Sequence, residues 1–399
     1  LRIQPAKKVL FISHEASRSG APIVLLHLLN WLKKNTALQF EILLLTDGPL
    51  KPDFEKAGKT FVLSDLTGQH TYTNRVKKKL LGITLVEQYK KTAAHFSKRR
   101  YDLVYGNTIV SLPWLKIFKE SHSIKTLCCV HELSYVLNYF FTREYLEENL
   151  KQTNAVIAVS GSVKENLINE FNLPAEKIHL HYEFINTDSH LTNSNALGKA
   201  DLGIGHDEFI IGMGGTPEWR KGTDQVIPLA IKLKEQYPDF KFKIVWLGAG
   251  EDNDFVKQLL YDARKCDIDN RLVFLESKPN PLDFINLFDV FVLLSREDPF
   301  PLIVLEAAFL KKPIIAFENS GGTPELIAQG AGLLAPYLDI AQIANLIHVL
   351  SVDPALIDKI GKKANDLVLA QYNSNIVSPG IYNEINKLIE PVINGGNNQ

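Results

Sequence analysis

The chain has 399 residues, 45% of them hydrophobic, and a net charge of −1. That length predicts two domains, each large enough to bury its own core. No run approaches the roughly 18 continuous apolar residues of a membrane span, and the four-residue apolar run near the N-terminus is too short for a secretory signal.

Three cysteines (Cys128, Cys129, Cys266) cannot form a disulfide framework and lack metal-ligand spacing, so a reduced, cytoplasmic setting is expected. The charge is unevenly distributed. Residues 1–190 carry 25 Lys/Arg against 18 Asp/Glu, and the remainder 19 against 27. Much of the excess lies in 75–100, where nine basic residues from Arg75 to Arg100 face Glu87 alone. Such a run is either a solvated helix face or a patch that attracts anionic lipid headgroups or an anionic acceptor, at the inner face of a membrane. No basic–aromatic stacking pattern accompanies it, which argues against nucleic acid.

In chain order, Lys8–Ser13 is a short apolar run with β-branched residues, and Ala21–Leu32 follows with leucines at helical spacing and Pro22 in its first turn. Ile42–Thr46, Leu103–Tyr105, Thr126–Val130 and Ala155–Ser160 repeat the strand signal, separated by polar periodic stretches. Asn186–Asp207 is polar and Asn-rich and reads as a linker. The alternation then restarts with strands at Phe209–Met213, Phe242–Leu247, Leu272–Leu275, Val290–Leu294 and Pro313–Ala316, and helices such as Asp224–Gln236 and Asp252–Lys265. The pattern predicts two doubly wound α/β domains, 1–187 and 208–375, joined by 188–207. Ligands of open α/β sheets bind outside the carboxyl ends of the strands, so a cleft between two such edges is expected.

Four segments carry the chemistry. Ser13–Pro22 (SHEASRSGAP) joins the first strand to the first helix, and Gly20 lets backbone approach an anion or sugar at a helix N-terminus. Thr216–Gly222 (TPEWRKG) sets Arg220 and Lys221 at a strand's carboxyl end, behind Gly214 and Gly215, where a fork and a point charge suit a diphosphate. Ser295–Ala307 (SREDPFPLIVLEA) places Asp298 in a loop stiffened by Pro299 and Pro301. Its helix then starts with the free amides of Leu302 and Ile303. Glu306, inside an apolar helix, is costly unless it meets a donor such as a ribose hydroxyl or a structural cation. Asn319–Glu325 (NSGGTPE) is a glycine-rich loop that either approaches a ligand or is glycine-rich for geometry alone. Gly248–Gly250 matches part of a dinucleotide fingerprint, but Asn253 stands where its third glycine belongs, which argues against a dehydrogenase.

SREDPFPLIVLEA resembles the Glu-x7-Glu signature of retaining GT-B glycosyltransferases, particularly glycosyltransferase family 4. SHEASRSGAP, CVHEL, WRKG, LGAGED and SGGTPE occur in that family's order, so the resemblance covers nearly the whole chain. It implies a GT-B fold of two Rossmann-like domains, acceptor recognition in the first, donor recognition in the second, and a C-terminal helix, 376–390, returning to the first. It implies transfer from a nucleotide sugar, a UDP- or GDP-sugar, with no metal or other cofactor. Lys221 matches the lysine that neutralises the donor diphosphate, and Glu306 the glutamate on the ribose. Asp298 stands where the first glutamate should be, one methylene short. Phe300, Pro301, Leu302 and Ile303 match the loop whose amides face sugar and phosphate. Gly20 matches the first-domain loop glycine, and His131, after the strand Thr126–Val130, a histidine near the transferred sugar. Where the family often has Gly-Arg, this chain has Gly214-Gly215, and Arg220 is the candidate replacement for that charge.

The resemblance implies retention at the anomeric carbon, with the donor phosphate taking the acceptor's proton. The acceptor is expected to be a glycan or lipid-linked species in cell-surface polysaccharide or lipopolysaccharide biosynthesis. A nucleotide-sugar epimerase of related fold and a non-catalytic sugar-nucleotide-binding subunit remain as alternatives at this stage.

Overall fold

The computed structural model describes residues 7–67, 92, 94–96, 99–122, 124–190 and 197–390. Of the basic run 75–100, residues 75–91, 93, 97 and 98 lie outside these; Arg99 and Arg100 lie within them, Arg100 exposed and Arg99 not a solvated charge. Its guanidinium lies 3.1 Å from Glu41 Oε1, and Glu41, only 8% exposed, also holds Lys8 at 3.1 Å and the Tyr101 hydroxyl. Burial opposes ionisation of Glu41, but these partners outweigh it and hold its pKa below the usual value.

The chain divides into two compact units. One comprises residues 1–159, 163–182 and 374–399, the other 160–162 and 183–373. The division falls a few residues before position 187, because Ile185 already pairs with the second unit through its amide on the Tyr372 carbonyl. Within 188–207, residues 199–202 form a 3-10 helix, and Lys199 reaches the Glu208 carbonyl and Asp289.

The first unit is a seven-stranded parallel sheet: β1 (Lys8–Ser13), β2 (Gln39–Leu44), β3 (Lys59–Val62), β4 (Leu103–Asn107), β5 (Lys125–Val130), β6 (Ala155–Ala158) and β7 (Ile178–Leu180). Their order is β3-β2-β1-β4-β5-β6-β7. The central strands are buried along almost their whole length, which is why they read as unbroken apolar runs rather than alternating ones. Helix Gly20–Asn35 buries Val24, Leu25, Leu28, Leu29 and Leu32 on one stripe. The last helix, Ser374–Ile389, packs against it, with the Trp31 and Tyr382 rings 6.3 Å apart. Its buried Glu384 faces His179, His181 and Lys387.

The second unit repeats the plan with six parallel strands: β8 (Phe209–Gly214), β9 (Phe242–Leu247), β10 (Leu272–Leu275), β11 (Val290–Leu293), β12 (Ile314–Phe317) and β13 (Gly332–Ala335). The order is β10-β9-β8-β11-β12-β13. In both sheets the strand order reverses beside the first strand, between β1 and β4 and between β8 and β11, the place where open α/β sheets bind ligands. Strands β3, β7 and β13 carry no clear sequence signal. Each is short, lies at a sheet edge and is only partly buried, so no unbroken apolar run marks it. Helix Asp254–Lys265 starts after Asp252 because Asn253 caps it, accepting from the amides of Phe255 and Val256.

In β8, Gly212 leaves room for one neighbour. A Cβ there would lie 1.8 Å from the Phe288 ring, itself 1% exposed. Gly212→Ala is therefore expected to lower stability by more than about 2 kcal/mol, read as a fall in thermal midpoint. An unchanged midpoint would show that Phe288 can withdraw.

Candidate active site

In the second unit, the loops leaving β8 and β11 meet at the point of strand reversal. The β8 loop carries the short 3-10 helix Trp219–Lys221. The β11 loop carries Ser295 to Asp298. Lys221 Nζ lies 2.5 Å from Asp298 Oδ2, with side chains 15% and 5% exposed, and Ser295 Oγ donates to the same oxygen at 3.2 Å. The two groups read from sequence as separate ligand contacts are thus joined to one another. Gly215 has φ +121°, and the Lys221 stem runs past it, 3.6 Å from where a Cβ would sit. An arginine at 215 would be strained in that backbone, so the Gly-Gly departure has a conformational reason. The Arg220 guanidinium donates to the Glu297 carbonyl at 2.9 Å and to Glu218 Oε1 at 2.7 Å.

The Asp298 main chain is fixed by the glycine-rich loop. Its amide donates to the Ser320 carbonyl at 2.7 Å, and its carbonyl accepts from Gly322 at 3.1 Å. Gly321, at φ +120°, would place a Cβ only 1.9 Å from the Asp298 carbonyl oxygen. The two backbones touch, so the glycines of NSGGTPE serve this contact.

Helix Leu302–Phe309 follows. It is apolar almost all round and buries Leu302, Val304, Leu305, Ala307 and Ala308. Pro301 at its N-cap supplies no side-chain acceptor and no acid lies in its first turn, so the amides of Leu302 and Ile303 remain without a cap. Phe300 is 2% exposed and stacks on Tyr372 with centroids 5.3 Å apart; its ring belongs to the core and only its backbone is placed to meet a ligand. Among the described residues, the Glu306 carboxyl has neither a hydrogen bond nor an ion pair, which removes the structural cation as its partner. It keeps a strip of exposure, but crowding by protein atoms desolvates it and raises its pKa to about 7.

The first unit holds Gly20 and His131. Gly20 opens helix Gly20–Asn35. In the loop before it, Glu15 Oε1 faces His14, Ser17 and Ser19, and the His14 hydrogen bond, opposed by burial and reinforced by Ser17, lowers Glu15 to about 2. Asn107 links the two expected residues. Its Nδ2 donates to the Ala21 carbonyl at 2.9 Å, and its Oδ1 lies 3.0 Å from His131 Nε2. With Oδ1 able only to accept, His131 Nε2 carries the proton. Glu132, 8% exposed, accepts from the amides of His131 and Ile109, and burial raises its pKa. Thr108, between Asn107 and Ile109, has φ +85°, an uncommon strain for a β-branched residue beside a site.

Sequence reasoning passed over Asn107, Glu132, Asp224 and Arg296. The signals were present: a polar residue ending an apolar strand, and an arginine inside the 295–307 segment. Among the described residues, no cluster of three or more His, Cys, Asp or Glu is placed to hold a metal ion, and no single helix is long and apolar enough to cross a membrane.

Two family models cover most of the chain: Glycosyltransferase Family 4 matches residues 18–189 and Glycosyl transferases group 1 matches residues 195–367. N-acetyl-alpha-D-glucosaminyl L-malate synthase of Bacillus anthracis is 26% identical over 56% of this chain, and the match spans 57% of that relative's length. Among solved structures, Anabaena HepE in complex with UDP-glucose superimposes with a TM-score of 0.78 at 19% identity, covering 95% of this chain and 99% of that one. WaaG, a glycosyltransferase involved in lipopolysaccharide biosynthesis, gives 0.69 at 13% identity over 93% and 98%. The fold is therefore GT-B, and the chain belongs to the group 1, family 4 glycosyltransferases.

Proposed function

We propose that this glycosyltransferase moves a hexose from a nucleoside-diphosphate sugar to a glycan or lipid-linked acceptor, with retention at the anomeric carbon and without a metal ion. The observation that carries the donor reading is the convergence, at one strand-reversal point, of the half-buried Lys221 ammonium with an uncapped helix N-terminus. Departure of a nucleoside diphosphate builds negative charge, and preorganised cations and amides stabilise that charge without reorganising. Lys221 and the Leu302 and Ile303 amides take this role. Arrival of the diphosphate draws Lys221 from Asp298, whose carboxylate then accepts from a hydroxyl of the transferred sugar. Arg220 adds charge to the same loop, and Gly215 lets the backbone come close. Glu306, with no hydrogen-bond or ion-pair partner among the described residues, accepts from the ribose hydroxyls. In the first unit, the His131 Nε2 proton is oriented by Asn107 and serves as a donor toward the transferred sugar, beside the loop that ends at Gly20.

HepE bound to UDP-glucose supports a UDP-sugar donor, with a GDP-sugar the other candidate. The likeness to WaaG supports an acceptor in cell-surface polysaccharide or lipopolysaccharide synthesis; action at the cytoplasmic face of a membrane is part of the proposal.

A thermal-shift screen of UDP-, GDP- and ADP-sugars in the presence of a chelator tests the donor reading, since a ligand of the native state raises its midpoint. One nucleotide class is expected to stabilise the protein; none doing so would overturn the proposal. Lys221→Ala is expected to cut kcat by about 100-fold or more, measured as nucleotide release coupled to acceptor. Arg220→Ala is expected to weaken donor binding, and unchanged affinity would remove Arg220 from the site.

Glu306 makes the site pH-dependent. Its pKa is raised from 4.5 to about 7, so between these values the unfolded chain has released the proton that the folded chain retains. Stability of the ligand-free protein should fall across that window, by on the order of 3 kcal/mol at most, and level off above it. Donor affinity should move the other way, rising as the carboxylate forms. Glu306→Gln is expected to flatten both curves; a variant that keeps the wild-type slopes would assign them to another group.

A further inference from the structure

We propose that Arg296 is a positioning residue, a clamp that sets where Lys221 stands relative to Asp298. The inference rests on the reading of Lys221 as the diphosphate-binding cation. A lysine is a point charge on a flexible stem, so its precision must come from the backbone that carries it. That backbone is a poor scaffold by itself. It runs from Gly215 at φ +121° to Gly222 at φ +68° and contains only one short 3-10 turn.

Arg296 supplies the missing order from the neighbouring loop. Its Nη1 donates to the Trp219 carbonyl at 2.5 Å and to Asp224 Oδ1 at 2.8 Å, and its Nη2 donates to Asp224 Oδ2 at 2.7 Å. Its guanidinium lies 4.7 Å from the Trp219 ring centroid. Its amide donates to the Arg220 carbonyl at 2.8 Å, and its own carbonyl accepts from the Tyr337 hydroxyl at 3.4 Å. One residue thus grips the chain before Lys221, at Trp219 and Arg220, and after it, at Asp224.

Arg296 lies two residues before Asp298, so the grip ties together the two loops whose tips form the Lys221–Asp298 pair. The side chain is 10% exposed, and Asp224 stays ionised because Arg296 outweighs its burial. A planar fork is needed to hold a carboxylate and a carbonyl together, and an ammonium cannot copy it.

The test uses the full chain, with donor KM and kcat measured for wild type, Arg296→Ala, Arg296→Lys and Asp224→Asn. Arg296→Ala is expected to raise donor KM about tenfold and to lower kcat further. Arg296→Lys should recover little of this. Asp224→Asn should shift both constants in the same direction, and the double variant should be no worse than Arg296→Ala, since both act through one clamp. Millimolar guanidinium should partly restore Arg296→Ala, a rescue that a merely destabilised fold would not show. Acrylamide quenching of tryptophan emission should rise in Arg296→Ala as Trp219, 52% exposed, loses its stacked cation.

Constants within twofold of wild type, or full recovery by Arg296→Lys, would overturn the inference while leaving the donor site intact. So would an equal loss of stability and activity without guanidinium rescue. A wild-type protein that neither binds nor turns over any nucleotide sugar would instead overturn the reading of Lys221, and the inference with it.

Discussion

Parallel strands force every carboxyl end of a sheet onto one edge. Reversal of the strand order then marks one place on that edge where the loops of two neighbouring strands frame a ligand site. Everything of chemical interest in the second unit stands at that place. The β8 loop brings Arg220 and Lys221, and the β11 loop brings Ser295, Arg296 and Asp298. The Lys221–Asp298 pair, the Arg296 fork on Asp224, and the backbone contact of Gly321 with Asp298 convert them into one body.

The electrostatic arrangement follows from the same geometry. A lysine buried to 15% exposure needs a counter-charge, and Asp298 provides it. The adjacent helix presents amides rather than a capping side chain, so its positive end stays available. Glu306 is the reverse case, a carboxyl crowded by protein and without a donor among the described residues, and its raised pKa is the result of that desolvation. A site that holds an anion at one end and accepts hydroxyl donors at the other suits a nucleoside-diphosphate sugar. The first unit uses the corresponding edge differently. There Asn107 and Glu132 orient His131 through its ring and its amide, with strain accepted at Thr108.

Much of this was legible from residue order. The ten apolar strand signals, the helix after Pro301 and the awkwardness of Glu306 are local properties, since apolar runs and a lone acid in an apolar helix can be seen without partners. The edge strands β3, β7 and β13 were not legible. Short, partly exposed edge segments become strands through the neighbour they pair with, and that neighbour is distant in sequence.

The sequence by itself determined the α/β class, the repeat of the βα plan, the segments that carry Lys221, Asp298 and Glu306, and the resemblance that placed the chain in its family. Only the tertiary structure decided that Lys221 and Asp298 hold each other, that Glu306 meets no partner among the described residues, that Phe300 is a core ring, and that Arg296 grips the loop around Lys221. The division has one physical cause. Propensity and hydrophobic pattern act over a few residues and can be read locally. Ion pairs, desolvation and backbone contacts between loops join positions such as 221 and 298, 224 and 296, or 298 and 321, and exist only once the strands have been put in order.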